Sequence, residues 1–262
     1  MEYYTLITGS SHGIGKCMAN ECASRGMNII LVALDEPLLT ETANELKASF
    51  PVKVEYLGID LTAPDAAKRV YDWCEEQGLK VNVLINNAGL GKGGYFESVD
   101  MKDYLTIMKL NNQAMVELTY HFFNDLKSHA PSYILSSSSM EATLPLPYKA
   151  VYTGTKNFIY AFSLAIREEL RSAGENVSVS ILCPGPVLTN TEGLDRIKAH
   201  GKRSQLLLMM PEDVAKIAVK QMLRKKRVII PGKLPWLIVK TFKFLPTALK
   251  MRILERVFRV YR

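Results

Sequence analysis

Tyr152 and Lys156 stand four residues apart in Tyr152-Thr153-Gly154-Thr155-Lys156, inside a run of helical spacing, so their side chains share one face. An ammonium beside a phenol favours the phenolate and lowers a pKa that starts at about 10. Such a tyrosine can act as a general acid or base close to neutral pH. In isolation a pair of this kind is more often an ordinary surface contact, and the motifs upstream are what single this one out. Four hydroxyls, Ser136-Ser137-Ser138-Ser139, end a β-rich run, where parallel sheets place ligand-binding groups. At the front of the chain, Thr8-Gly9-Ser10-Ser11-His12-Gly13-Ile14-Gly15 follows a strand pattern and opens a helical one. Three glycines let the backbone turn sharply and come close to a pyrophosphate, which then meets helix-terminal N–H groups. A tight turn without a ligand has the same look, but its position at the head of an alternating chain favours a nucleotide.

These residues need a scaffold, and the rest of the sequence supplies one. Strand-like runs fall at Tyr3–Thr8, Asn28–Val32, Lys53–Gly58, Val81–Asn86, Tyr133–Ser136, Val177–Leu182 and Val228–Ile230. Most are continuously apolar, as strands covered on both faces are. Helical spacing fills the intervals: Gly15–Arg25, Leu38–Ser49, Ala63–Gln77, Met101–Ser128 and Tyr152–Ser172. The expected fold is α/β, a Rossmann-like doubly wound parallel sheet with helices on both faces. One catalytic domain is expected over residues 1–232, followed by a basic amphipathic extension over 233–262. The long connection Pro186–Met210 has the length of a functional lid, and Leu206-Leu207-Leu208-Met209-Met210 within it reads equally as a pocket wall or as ordinary packing.

The glycine spacing, Gly-xxx-Gly-x-Gly, departs from the usual dinucleotide fingerprint and resembles that of the short-chain dehydrogenase/reductase family. Further matches follow in the family's order over roughly residues 3 to 232. Asp60-Leu61 resembles its adenine-contacting position, and Asn86-Asn87-Ala88-Gly89 its NNAG segment. Tyr152 and Lys156 give its YxxxK, and Pro184-Gly185-Pro186 with Val187 and Thr189 resembles the segment beside the nicotinamide. The resemblance implies a nicotinamide cofactor held by Gly9, Ser11, His12, Gly13, Ile14 and Gly15. It implies further cofactor contacts from Asp35, Asp60, Leu61, Asn87, Ala88 and Gly89, and from Tyr152, Lys156, Pro184, Gly185, Val187 and Thr189. The catalytic serine, thirteen residues before the tyrosine in the family, falls on Ser139, with Ser138 the alternative if the register slips. Asn111, or its neighbour Asn112, matches an asparagine that relays protons toward the lysine. Met140-Glu141-Ala142 departs from the family, which often has Gly at the last place. The reaction implied is hydride transfer between the cofactor and a carbonyl or secondary alcohol, and Leu206–Met210, where it reads as a pocket wall, makes the expected reaction the reduction of a lipophilic ketone. A silent nucleotide-binding scaffold and a membrane-surface adaptor are the competing readings.

Cofactor choice is set after the second strand, at Ala33-Leu34-Asp35-Glu36. The family's commonest acid falls on Ala33 and its commonest arginine on Leu34, so neither residue is present. Asp35 is placed to repel a 2′-phosphate, which leans the expectation to NAD(H), whereas His12 would suit NADP(H).

The 262 residues are 48% hydrophobic and 23% charged, which excludes disordered and fibrous classes. Cys17, Cys22, Cys74 and Cys183 form neither a disulfide framework nor a metal-ligand spacing, so no metal is expected and the compartment reads as reducing and cytoplasmic. Met1-Glu2-Tyr3-Tyr4 runs straight into a strand pattern without the form of a secretory leader. The formal charge of +7 is concentrated at one end: from Arg224 to Arg262 there are twelve basic residues and one acid, Glu255. There Leu254, Val257, Phe258 and Tyr261 form one helical stripe and Arg252, Arg256 and Arg259 another. A peripheral membrane contact, packing on the body, a subunit contact and nucleic acid compete, with nucleic acid the weakest because no binding module accompanies the charge. A homodimer or homotetramer through the long helices is the assembly that the resemblance implies.

Overall fold

The seven apolar runs become the strands of one sheet: β1 (Tyr4–Thr8), β2 (Asn28–Ala33), β3 (Val54–Gly58), β4 (Val81–Asn86), β5 (Ser132–Ser137), β6 (Val177–Leu182) and β7 (Val228–Ile229). Every neighbouring pair is parallel, in the order β3-β2-β1-β4-β5-β6-β7. The computed structural model describes residues 2–188, 207–242 and 244–259. Helices between the strands are α1 (Gly13–Ala23), α2 (Pro37–Ser49), α3 (Ala66–Glu76), α4 (Met101–Met108), α5 (Ala114–Ser128), α6 (Ala150–Ser172) and α7 (Pro211–Leu223). Two more, α8 (Lys233–Phe242) and α9 (Thr247–Phe258), follow β7.

Alternate residues of each strand enter different cores, which is why the strands are apolar throughout. Ile7, Leu31, Ile85 and Leu182 pack with α1, α2 and α7 on one face. Leu6, Ile30, Leu84 and Ile134 pack with α3 and α5 on the other. The strand order reverses between β1 and β4, so a crevice opens at their carboxyl ends, where such sheets bind ligands.

The run read as one helix over Met101–Ser128 is interrupted. Residues Lys109–Gln113 form a π-helical turn between α4 and α5. One extra residue in that turn rotates Asn111 inward to a partner on the β4 side, and helical spacing alone gives no sign of it.

Packing on the body is what the structure gives for part of the tail. Leu254 of α9 is buried against Leu144 and Leu146, with Phe242 and Phe258 alongside. Val257 is exposed, and Tyr261 lies outside the described residues, as do Leu206 and Thr189. Met209, from the expected lid, packs against the first core and bridges to Val187.

Candidate active site

The glycine turn is built around close backbone contacts. Gly9 and Gly13 have φ of +63° and +57°, the left-handed region that glycine enters without strain. A Cβ on Gly15 would lie 2.0 Å from the Gly9 carbonyl oxygen, and one on Gly9 would lie 2.9 Å from the Ala88 Cα. The backbone therefore folds on itself where a pyrophosphate would approach, and the first turn of α1 carries no acidic side chain to oppose an anion. The Ser11 hydroxyl is bonded to His12 Nδ1 at 3.0 Å, and Ile14 packs toward the core.

Asn87 ties this turn to β4. Its amide donates to the Thr8 and Gly9 carbonyls at 3.1 and 3.2 Å, and its Oδ1 accepts from Ser137 Oγ at 3.2 Å. Thr8 Oγ1 accepts from the backbone N–H groups of Asn87 and Ala88 at 2.9 and 3.0 Å. The adjacent Gly89 leaves room for two buried polar groups. A Cβ there would stand 3.1 Å from Asn111 Oδ1 and 3.3 Å from Lys156 Nζ.

Lys156, on α6, donates from Nζ to the Ser137 carbonyl at 2.8 Å and is buried. Burial disfavours its charged form and brings its pKa down to about 8, with Cys183 and Glu141 opposing the shift. Its ammonium lies 5.9 Å from the centroid of the Tyr152 ring. The same ring meets Gly91, where a Cβ would come within 2.9 Å of Cδ2 and Cε2. Asn111, 1% exposed, is fixed at both ends of its amide. Its Nδ2 donates to the Leu90 carbonyl and to Thr155 Oγ1, each at 2.9 Å, and its Oδ1 accepts from Leu90 N–H at 2.8 Å. Asn112 instead donates to the Thr155 carbonyl at 3.0 Å.

The two candidate serines have different surroundings. Ser138 Oγ donates to the Lys156 carbonyl at 2.7 Å and so pins β5 to α6. Ser139 opens a short 3₁₀ turn (Met140–Thr143), where its Oγ accepts from Glu141 N–H at 3.1 Å. Ser139 also lines a cavity of about 300 Å³ whose walls include Met140, Tyr160, Ile230, Trp236 and Val239. Helix α8 supplies the last two. Its Pro235 stands over Gly185, where a Cβ would be 3.3 Å from the proline ring. Pro184 joins the same corner by accepting from Met140 N–H at 2.9 Å.

The remaining expected residues follow the carboxyl ends of β2 and β3. Asp35 is exposed just past β2, packed so close to Gly58 that a Cβ there would be 2.6 Å from the Asp35 Cβ. Asp60 is also exposed, its Oδ1 accepting from Thr62 N–H and Oγ1 at 2.8 Å, while Leu61 is buried in the second core. Four contributors escape motif reading: Thr8, Thr155, Gly91 and the wall formed by α8. Thr8 and Thr155 are legible as positions flanking motifs. Nothing in the local pattern assigns α8 to the cavity.

A family model described as short chain dehydrogenase matches residues 4–199. The very-long-chain 3-oxoacyl-CoA reductase of Macaca fascicularis is 27% identical over 265 residues, covering 97% of this chain and 81% of that protein. The human protein of the same name is 29% identical over 177 residues, covering 65% of this chain. There the chain spans about half the length of its relative, 55%. Among solved structures, a 7β-hydroxysteroid dehydrogenase superposes with a TM-score of 0.86 at 22% identity, covering 96% of each chain. A short-chain dehydrogenase from Sphingobium yanoikuyae in complex with NADPH gives 0.76 at 25% identity, covering 94% of this chain and 97% of that one. One from Burkholderia phymatum in complex with NAD gives 0.80 at 23% identity, covering 91% and 92%.

Proposed function

The chain belongs to the short chain dehydrogenase family of nicotinamide-dependent oxidoreductases, and on that premise we propose that Ser139, Tyr152, Lys156 and Asn111 carry the reduction of a lipophilic ketone. The observation that supports this most is the meeting of the glycine turn, Gly89, buried Lys156 and buried Asn111 at one end of the sheet. When bound, the nicotinamide supplies the hydride and the protein supplies position and electrostatics. Gly9, Gly13, Gly15 and the N–H groups at the start of α1 would hold the pyrophosphate. Lys156 would bind the nicotinamide ribose hydroxyls while favouring the Tyr152 phenolate. Ser139 holds the substrate oxygen, Tyr152 gives or takes its proton, and Asn111 links that proton to solvent. The reverse reaction on a secondary alcohol uses the same groups. The scaffold reading is disfavoured because the complete serine, tyrosine and lysine set is retained.

The role of Ser139 is separable from that of its neighbour. Ser139→Ala is expected to lower kcat about a hundredfold, the scale for losing one hydrogen-bond donor to the reacting oxygen. Ser138→Ala should leave kcat within a few-fold and lower the melting temperature instead, because it removes a buried bond to the Lys156 carbonyl. Steady-state ketone reduction by the two variants reads this, and equal losses would contradict it.

NAD(H) is the preferred cofactor in this reading. Leu34, 52% exposed, stands where a guanidinium would pair with a 2′-phosphate, and Asp35 beside it would repel one. An acyl thioester or a steroid-like ketone is the substrate class. The relatives' names point to the first, and the cavity beside Ser139, where Met140, Ile230, Trp236 and Val239 stand among Thr143, Gln221, Lys226 and Lys240, mixes apolar and polar walls and suits either. A homodimer or homotetramer through the long helices fits the exposure of Tyr120 on α5, Met108 on α4 and Phe158 on α6. A monomer in sedimentation velocity contradicts that assembly.

The tail gives a second site of action, at a membrane surface. Among the described residues no helix is long and apolar enough to cross a bilayer. Leu234, Trp236, Leu237, Leu249 and Val257 are nonetheless exposed, and Phe244 is 88% exposed, among lysines and arginines. Such a surface suits the interface of an anionic bilayer. Flotation with vesicles containing phosphatidylserine should retain the protein, and Phe244→Glu with Leu237→Glu should release it. Equal retention of both would remove the membrane from the account.

A further inference from the structure

Resting on the reading of Tyr152 as the acid–base residue, we propose that α9 is a positioning element of the active site, with Glu255 and Phe258 holding Tyr148 and Lys149 so that the Lys149 ammonium stays against the Tyr152 ring. The loop between the Ser139 turn and α6 ends at Tyr148, whose φ of +64° lies in the left-handed region. A bulky aromatic residue persists there only when its surroundings hold it. Those surroundings include α9, since the Tyr148 hydroxyl donates to Glu255 Oε1 at 3.0 Å. Glu255 is itself fixed by Arg259, whose Nε and Nη2 donate to its two oxygens at 3.0 and 2.7 Å. The Tyr148 ring also meets Tyr95 edge-on at 5.5 Å. Immediately before Glu255 on α9, Leu254 is buried against Leu144 and Leu146 of the same loop.

Lys149 is the next residue and the N-cap position of α6. Its Nζ lies 3.3 Å from Glu141 Oε1, 5.4 Å from the Phe258 ring centroid and 5.8 Å from the Tyr152 ring centroid. The lysine and the glutamate are both mostly buried, so the ammonium has few alternative positions. Tyr152 is therefore approached by two ammoniums, Lys149 from the tail side and Lys156 from the cofactor side. The charged groups near the ring include Lys156 on α6, Lys149 at its N-cap, Glu141 on the Ser139 turn and the Glu255–Arg259 pair at the end of α9. Asn111 on the π-helical turn is neutral. Glu141 is paired with Lys149 and Glu255 with Arg259, and a cation held near a phenol favours its ionised form. A tail that would otherwise read as a surface appendage thus reaches the acid–base residue through two contiguous side chains.

The test titrates Tyr152 itself and needs no substrate. The ultraviolet difference spectrum of tyrosine ionisation, obtained by subtracting a matched Tyr152→Phe protein from each variant, reports its midpoint. Lys149→Met should raise that midpoint by about half a pH unit, the effect of removing a unit charge about 6 Å away in a water-like dielectric, and Phe258→Leu, which keeps the charge but frees the ammonium, should raise it by part of that. Lys149→Arg, which keeps the charge, should restore the wild-type value. Glu255→Gln separates positioning from charge. Losing a nearby carboxylate would by itself lower the midpoint, whereas a released Tyr148–Lys149 segment raises it. NADH affinity should stay within about twofold throughout, because no altered residue belongs to the glycine turn. Unchanged midpoints in Lys149→Met and Phe258→Leu, or a lowered one in Glu255→Gln, would overturn the inference. Should Tyr152→Phe prove active, the functional reading fails while the titration still decides whether α9 controls Lys149.

Discussion

Tyr152→Phe is expected to lower turnover by about a thousandfold, within the range contributed by a positioned general acid, while leaving NADH affinity within about twofold. The two halves follow from different parts of the site. The phenyl ring keeps the shape that packs against Gly91 and lies 5.9 Å from Lys156 Nζ, so the cofactor crevice is preserved. What is lost is the hydroxyl proposed to exchange a proton with the substrate oxygen. Ser139 would still hold that oxygen but does not replace the transferred proton, and water would have to serve. Single-turnover reduction with premixed NADH separates the step from binding. A variant with near-wild-type turnover would move the acid–base role elsewhere, whereas loss of NADH binding would mean that the ring supports the crevice instead.

Gly15→Ala is expected to abolish measurable cofactor binding, weakening it by at least about a hundredfold, and to cost about 1–3 kcal/mol of stability, the range for overpacking. The cause is local and severe. A Cβ at this position would sit 2.0 Å from the Gly9 carbonyl oxygen and 2.6 Å from Asn87 Nδ2. One neighbour is backbone and cannot swing aside, so the turn itself must move. That movement carries off the N–H groups at the start of α1 together with the Asn87 bonds to Thr8 and Gly9. Gly154→Ala is a suitable control, because a Cβ there meets nothing within 4 Å and an alanine favours a helix. Nucleotide titration and thermal melting of the two variants give the comparison, and equal behaviour would show that the turn is not packed as described.

Much of the scaffold was legible because the sheet is buried on both faces. Residues such as Leu6 and Ile7 must both be apolar when each enters a different core, and continuous runs of that kind announce their strands. The glycine turn was legible for a related reason, since Gly9, Gly13 and Gly15 each meet a steric demand that no other residue satisfies without strain. Other features were hidden. The π-helical turn at Lys109–Gln113 leaves the helical period almost untouched, so the helical run over Met101–Ser128 gives no sign of it. Which of Asn111 and Asn112 faces Gly89 depends on that one added residue. Ser138 and Ser139 are likewise indistinguishable as types, and their surroundings separate them: Ser138 is bonded to the Lys156 carbonyl, whereas Ser139 lines the cavity. The tail stripe mixed two destinations: Leu254 and Phe258 pack on the loop before α6, and Val257 points to solvent. Charge pattern cannot make that division, because packing of a helix is decided by a surface far away in sequence.

A nicotinamide bound at the glycine turn underlies every proposed role, and paired titration of the folded protein with NADH and NADPH, read by energy transfer from tryptophan or tyrosine to the nicotinamide, measures it directly. Saturable transfer with both nucleotides, tighter for NADH, is the predicted result. Tighter NADPH binding would reassign cofactor selection from Asp35 to His12 and its surroundings while leaving the reaction in place. Binding of neither nucleotide to protein that melts cooperatively would contradict the central claim.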